Sequence, residues 1–263
     1  MTAIDATVTA PSRSVPRARF WEIDTLRGVA IVMMVFYHLL WDLKFWGVMP
    51  DLVLASGFWK YFQRTTASLF ILLVGVSLAV SYQRLARARG GSQGLFGGFL
   101  RRGLRIFTIG VAMSLVIRLA GTGYVHFGVL HLIGLSIIVA YPFLRFKWLN
   151  LALWAIFFTA GYFIESVRVD TVWLVWLGLK PDFYYPVDYF PLIPWFGVVL
   201  LGIFLGNTLY GESGRRFMLP DYSAFFPFRF LSFLGRHSLL IYVIHQPLLL
   251  LLLALFGLIP LAF

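Results

Sequence analysis

Cysteine is absent from the 263 residues, which excludes disulfides, iron–sulfur clusters, thiolate nucleophiles and any acyl-cysteine intermediate. Charge is nearly as scarce: 13% of the chain is charged, whereas a soluble globular domain carries about a quarter. Acidic residues number 11 against 22 lysines and arginines, giving a net charge of +11. The stretch Gly90-Gly91-Ser92-Gln93-Gly94-Leu95-Phe96-Gly97-Gly98 lacks the Lys-Ser/Thr of a P-loop and reads as a flexible loop. No internal repeat is convincing, so an inverted-repeat transporter architecture gains no support. No close H-x-x-x-H pair is present. His126 and His131 are five apart, about 140° off a common helical face, and no metal is expected.

What the chain has in quantity is apolar sequence, 60% of its residues. Runs of about 17–25 residues recur from end to end, the length that crosses a hydrocarbon core. The expected fold is all-α, a polytopic transmembrane helix bundle of about seven spans, near residues 26–48, 66–83, 103–119, 127–144, 148–165, 189–209 and 236–258. Residues 1–20 form a polar tail with no apolar h-region, so no cleaved signal peptide is expected, and 21–263 form one transmembrane domain. With the N-terminus in the cytoplasm, sixteen of the 22 basic residues fall in cytoplasmic segments, and only Lys44, Lys60, Arg64, Arg118, Arg168 and Lys180 fall opposite. That bias sets the orientation as N-terminus in. Confinement of the positive charge to short loops, without a basic stripe interleaved by stacking aromatics, argues against a nucleic-acid partner and leaves membrane lipid as the surrounding one.

Two segments break the helical pattern on the outer side. Residues 49–64 are aromatic with mixed charge, and an interfacial helix is one reading of them. Residues 181–196 carry four prolines, which remove helix donors, and a cluster of aromatics. They read as an irregular outer entrance, bordered by Tyr184, Tyr185, Tyr189 and Trp195, or as a plain aromatic belt.

The first apolar run holds the most informative residues: Asp24-Thr25-Leu26-Arg27, then His38 eleven residues on, then Asp42. Eleven helical steps turn about 1100° and climb roughly 16 Å, so Arg27 and His38 share a face at different depths. Asp42, at i+4 from His38, lies on the same face. Ionisable groups at such depth face a bundle interior or a water-filled cavity. His38 suits a general base, since imidazole titrates near neutrality, and Asp42 could hold its tautomer. The competing reading is a packing histidine bonded to a carbonyl. His245 and His131 come to a similar level in other spans, and packing is the stronger reading for both. His245 also precedes Gln246-Pro247, where a kink is expected. His126 and His237 stay at background.

A second constellation is basic and inside: Arg27, Arg101, Arg102, Arg105 and Arg236. Guanidinium forks suit phosphate oxygens, although topology explains most of these residues. Arg27 and Arg105 lie nearest the membrane.

Taken in order, Ile23-Asp24-Thr25-Leu26-Arg27-Gly28-Val29-Ala30 with His38-x-x-x-Asp42, Phe127-Gly128-Val129-Leu130-His131-Leu132-Ile133-Gly134, Pro194-Trp195-Phe196-Gly197 and Gly235-Arg236-His237-Ser238 through His245-Gln246-Pro247 span most of the chain. The set resembles bacterial proteins related to the heparan-α-glucosaminide N-acetyltransferase catalytic domain. The Arg27–His38 spacing also resembles the R-x10-H motif of the wider transmembrane acyltransferase group. The resemblance implies an enzyme of the bacterial inner membrane that takes an acyl group, acetyl by the family's example, from cytoplasmic acyl-CoA. It would deliver that group to a hydroxyl or amine of an extracytoplasmic, glycan-like acceptor. His38, Asp42, His245 and His131 are then the catalytic candidates. Arg27, Arg105, Arg236 and Arg102 would meet the CoA phosphates, and Tyr184, Tyr185, Tyr189 and Trp195 the acceptor. The rival from another class is a proton-coupled transporter or channel with Arg27, His38 and Asp42 as its relay.

Overall fold

The computed structural model describes residues 19–211 and 214–260. Most of the polar tail expected over 1–20, with Arg13 and Arg17, lies outside the described residues, as does Glu212. Eight α-helices account for nearly all regular structure among the described residues: α1 (Trp21–Phe45), α2 (Gly57–Ala88), α3 (Phe96–Leu119), α4 (Val129–Val139), α5 (Trp148–Ile164), α6 (Leu192–Leu209), α7 (Phe226–Arg236) and α8 (Ser238–Leu255). A two-residue hairpin, β1 (Tyr210–Gly211) and β2 (Gly214–Arg215), follows α6.

The all-helical architecture is as expected, and by length and apolar composition α1, α2, α6 and α8 are long enough to cross a membrane. The remaining expected spans differ in kind. α3 is 24 residues long but carries Arg101, Arg102, Arg105 and Arg118. α4 has 11 residues, about 16 Å at the helical rise, because the chain tightens into a 3-10 turn containing Pro142. α2 begins at Gly57, earlier than expected, so the C-terminal part of segment 49–64 forms its first turns instead of a separate interfacial helix. Trp59 and Phe62 pack there against Phe36 of α1, with ring centroids 6.1 and 6.2 Å apart.

Close approach of helices organises the interior. Gly75 of α2 meets Gly202 of α6, where a side chain on either would strike the other helix's backbone. The small-residue pair Gly202-x-x-x-Gly206 lets these helices touch. Ile71 and Leu78 of α2, Leu132 and Ile137 of α4, and Leu200 and Ile203 of α6 are almost wholly buried there. The second close contact joins α1 to α7. A Cβ on Gly28 would fall on the Leu231 carbonyl, and one on Gly235 would fall on the Asp24 carbonyl. The Thr25 and Ser232 hydroxyls are hydrogen-bonded at 2.8 Å across this contact.

α7 begins in the stretch between the last two expected spans, 189–209 and 236–258. Pro227 opens it, and its buried residues are Ser232 and Gly235, while Phe226, Phe230 and Phe233 face outward at i, i+4 and i+7. No long apolar run announces such a helix; only its one-sided pattern does.

Candidate functional site

A cavity of about 270 Å³ opens where α1 and α3 begin and α2 and α7 end. Five arginines line it, Arg19, Arg27, Arg84, Arg102 and Arg236, against a single carboxylate, Asp24. Ser77 and Ser81 of α2 complete its polar wall. Arg27 is held from three directions. It donates to Asp24 Oδ1 at 3.0 Å, to Ser77 Oγ at 2.7 Å and to the Gly235 carbonyl at 3.4 Å. A guanidinium fixed this way presents its charge in one geometry, which suits an anion with several oxygens.

Beside it, Glu22 receives Arg215 through Nε–Oε1 at 2.7 Å and Nη2–Oε2 at 2.8 Å, and the Tyr210 hydroxyl at 3.2 Å. This clasp ties the hairpin to the first turn of α1. Arg215 also lines a second, open cavity of about 700 Å³ that shares Arg19 and Phe20 with the first and adds Phe217, Met218, Leu219 and Pro220.

Eleven residues along α1 from Arg27, His38 faces His245 of α8, with ring centroids 4.7 Å apart and planes at 77°. His38 Nδ1 lies 2.9 Å from the Met34 carbonyl and His245 Nδ1 lies 2.7 Å from the Tyr242 carbonyl. A carbonyl only accepts, so both rings carry their proton on Nδ1 and turn an Nε2 lone pair away from the backbone. Asp42 and His245 are buried, 4% and 7% exposed. Asp42 Oδ1 accepts from Gln246 Nε2 at 2.6 Å. The partner holding the His38 tautomer is therefore the Met34 carbonyl, while the carboxylate expected in that role is engaged with Gln246. α8 runs through Pro247 as one helix.

The other expected residues lie elsewhere. His131 Nδ1 accepts the Gly128 N–H at 3.2 Å, closing the first turn of α4, and its ring packs against Phe107 and Phe127. Arg102 lines the arginine cavity; Arg105 is exposed and does not. Tyr184 is buried, stacked on His126 at 5.6 Å and edge-on to Tyr189 at 5.2 Å. Tyr189 donates to the Val175 carbonyl at 2.9 Å, Trp195 leans on Phe190, and Tyr185 is 79% exposed.

Sequence reasoning missed Asp188. Its Oδ2 accepts the Val129 N–H at the start of α4 at 2.9 Å and the Tyr242 hydroxyl at 3.4 Å. It thereby carries the non-helical segment 181–191 into the bundle as far as α8, beside His245. Irregular backbone at membrane depth is tolerated where protein buries it or where it lines a cavity. The Asp188→Ala protein, which leaves the Val129 N–H and the Tyr242 hydroxyl without their shared acceptor, should unfold in detergent at a lower temperature than the Asp188→Asn protein, which keeps an oxygen for both; equal midpoints would refute the assignment.

Helices able to cross a membrane, with a cationic cavity at one end and an imidazole pair between them, define an integral-membrane protein with a polar site inside its bundle. The family model of the heparan-alpha-glucosaminide N-acetyltransferase catalytic domain matches residues 19–247. The chain belongs to that family. No curated protein and no solved structure gives a match. The matched region takes in the arginine cavity, the imidazole pair and Gln246 alike.

Proposed function

We propose that this protein is an acyl-CoA-dependent acyltransferase that moves an acetyl group from the cytoplasmic side to a hydroxyl or amine of an extracytoplasmic saccharide. The observation that carries the reading is the His38–His245 pair, whose Nε2 lone pairs are freed by backbone carbonyls, with His38 on a helix that starts in an arginine cavity. The CoA phosphates sit among Arg27, Arg102 and Arg236, with Arg19 and Arg84 beside them. From there the acyl-bearing arm of the cofactor runs along α1 toward His38. The acceptor comes from the opposite end, past Tyr184, Tyr185, Tyr189 and Trp195.

His38 Nε2 takes the proton from the acceptor's O–H or N–H as that oxygen or nitrogen attacks the thioester carbon. The C–S bond then breaks, and the CoA sulfur leaves with the proton returned from His38. A neutral His245 with its proton on Nδ1 has none at Nε2 to give to a developing oxyanion. Its part is to accept from the incoming substrate. His131, occupied with the start of α4, serves structure. A relay through Arg27 is the weaker reading, because Arg27 is engaged with Asp24, Ser77 and Gly235.

The test is transfer from radiolabelled acetyl-CoA in proteoliposomes carrying the protein, with soluble oligosaccharides offered on the other face. Arg236→Ala and Arg102→Ala should each raise the KM for acetyl-CoA about tenfold, the scale of one lost charge-assisted hydrogen bond, and leave kcat nearly intact. The effect should shrink at high salt. Unchanged acetyl-CoA affinity in the double variant rules out the cavity as its site.

A further inference from the structure

Three side-chain atoms at the seam between α1 and α8 are buried and have no hydrogen-bond partner among the described residues: Asp42 Oδ2, His245 Nε2 and Gln246 Oε1. All three are acceptors. Asp42 accepts through both oxygens as a carboxylate. His245 has its proton engaged with the Tyr242 carbonyl, 2.7 Å away. Gln246 must turn its NH2 toward Asp42 Oδ1, 2.6 Å away, so its carbonyl oxygen faces the other way. His38, edge-on to His245, adds a fourth lone pair at Nε2. Buried polar atoms in native proteins are almost always paired, and a run of acceptors lacking any donor is complementary to a ligand that brings donors.

We infer that Gln246, held by Asp42, is a positioning residue for the acyl acceptor, and that this seam binds a group carrying at least two N–H or O–H donors. A primary ammonium and a pair of neighbouring sugar hydroxyls both meet that description. A single hydroxyl does not, since it leaves most of the lone pairs unmet. The inference rests on the acyl-transfer reading for the identity of the ligand as substrate, but the binding preference stands without it.

The probes are three six-membered rings: cyclohexanol with one donor, trans-1,2-cyclohexanediol with two and cyclohexylammonium with three. Binding is read from the ring 15N resonances of histidine-labelled full-length protein in nanodiscs. Partition into lipid is common to every protein variant, so differences between variants report the seam. In the parent, the diol or the ammonium should bind about tenfold or more tightly than cyclohexanol. Whichever of the two does so names the donor source. Gln246→Leu should reduce that preference to within about twofold and leave the KM for acetyl-CoA unchanged. Gln246→Glu, sharing a proton with Asp42, should restore it.

Equal binding of all three probes in the parent overturns the inference even if no variant folds. A preference that survives Gln246→Leu overturns the role of Gln246. A preference lost in Gln246→Leu, in a protein that never transfers acetyl from acetyl-CoA, upholds the donor-seeking seam and removes the acyl-transfer reading instead.

Discussion

Replacing His38 with alanine is expected to lower acyl transfer by about 10²-fold or more, the scale on which a general base contributes, while the protein still folds and inserts. The ring is half-buried and its one hydrogen bond runs to a carbonyl that α1 already uses, so little packing is lost with it. Removing the neighbouring carboxylate should matter less. Asp42→Asn keeps an oxygen to receive Gln246 Nε2 and leaves Met34 to hold the His38 tautomer. The measurements are single-turnover acetyl transfer and, as a check on folding, the size-exclusion profile of the detergent-solubilised protein. A correctly inserted His38→Ala protein working at the parental rate ends the mechanism.

The largest structural effect is expected from Gly235→Val. At this position α7 lies directly on the backbone of α1, with the Asp24 carbonyl and the Gly28 amide where any side chain would go. Flexible side chains can move aside, but here the obstacle is main chain. The helices must separate, breaking the Thr25–Ser232 bond and the reach of Arg27 to the Gly235 carbonyl. Overpacking of this kind destabilises by about 1–3 kcal/mol or more, and separation of two helices belongs at the upper end. The thermal midpoint in detergent should fall accordingly, and acetyl-CoA affinity with it, because Arg27 and Arg236 both flank the contact. Gly97→Val, at a position with open space around it, is the control. Equal midpoints for the two variants would exclude a tight α1–α7 contact.

Depth along a helix is readable in sequence, and rotation about its axis much less so. Hydropathy and the rise per residue put Arg27 at one level and His38 with His245 at another, and in the structure those two rings are neighbours. The same arithmetic put Arg102 and Arg105 at one end of α3, but only Arg102 turns into the cavity, because packing against α4 sets the azimuth. His131 shared the right depth yet engages the turn of its own helix. Ser77, Ser81, Arg19 and Arg84 had no motif to mark them; they matter through tertiary placement alone. Gln246 did carry a signal, an amide inside an apolar helix next to a histidine, which asks for a polar partner. Asp188 was masked by the prolines and rings around it, and α7 by its brevity. Residue-by-residue patterns report one helix at a time, whereas the arginine cavity is built from four helix ends.

The contact between α1 and α7 sets an order for biosynthesis. Thr25 and its partner Ser232 are 207 residues apart in the chain, so α1 leaves the ribosome long before the helix that covers it. At about 5–20 residues per second that interval is roughly 10–40 s. Throughout it, α1 carries Gly28, Thr25 and the charged Arg27 without the helix that will shield them. The arginine cavity is thereby incomplete until α7, which carries Arg236, has been made.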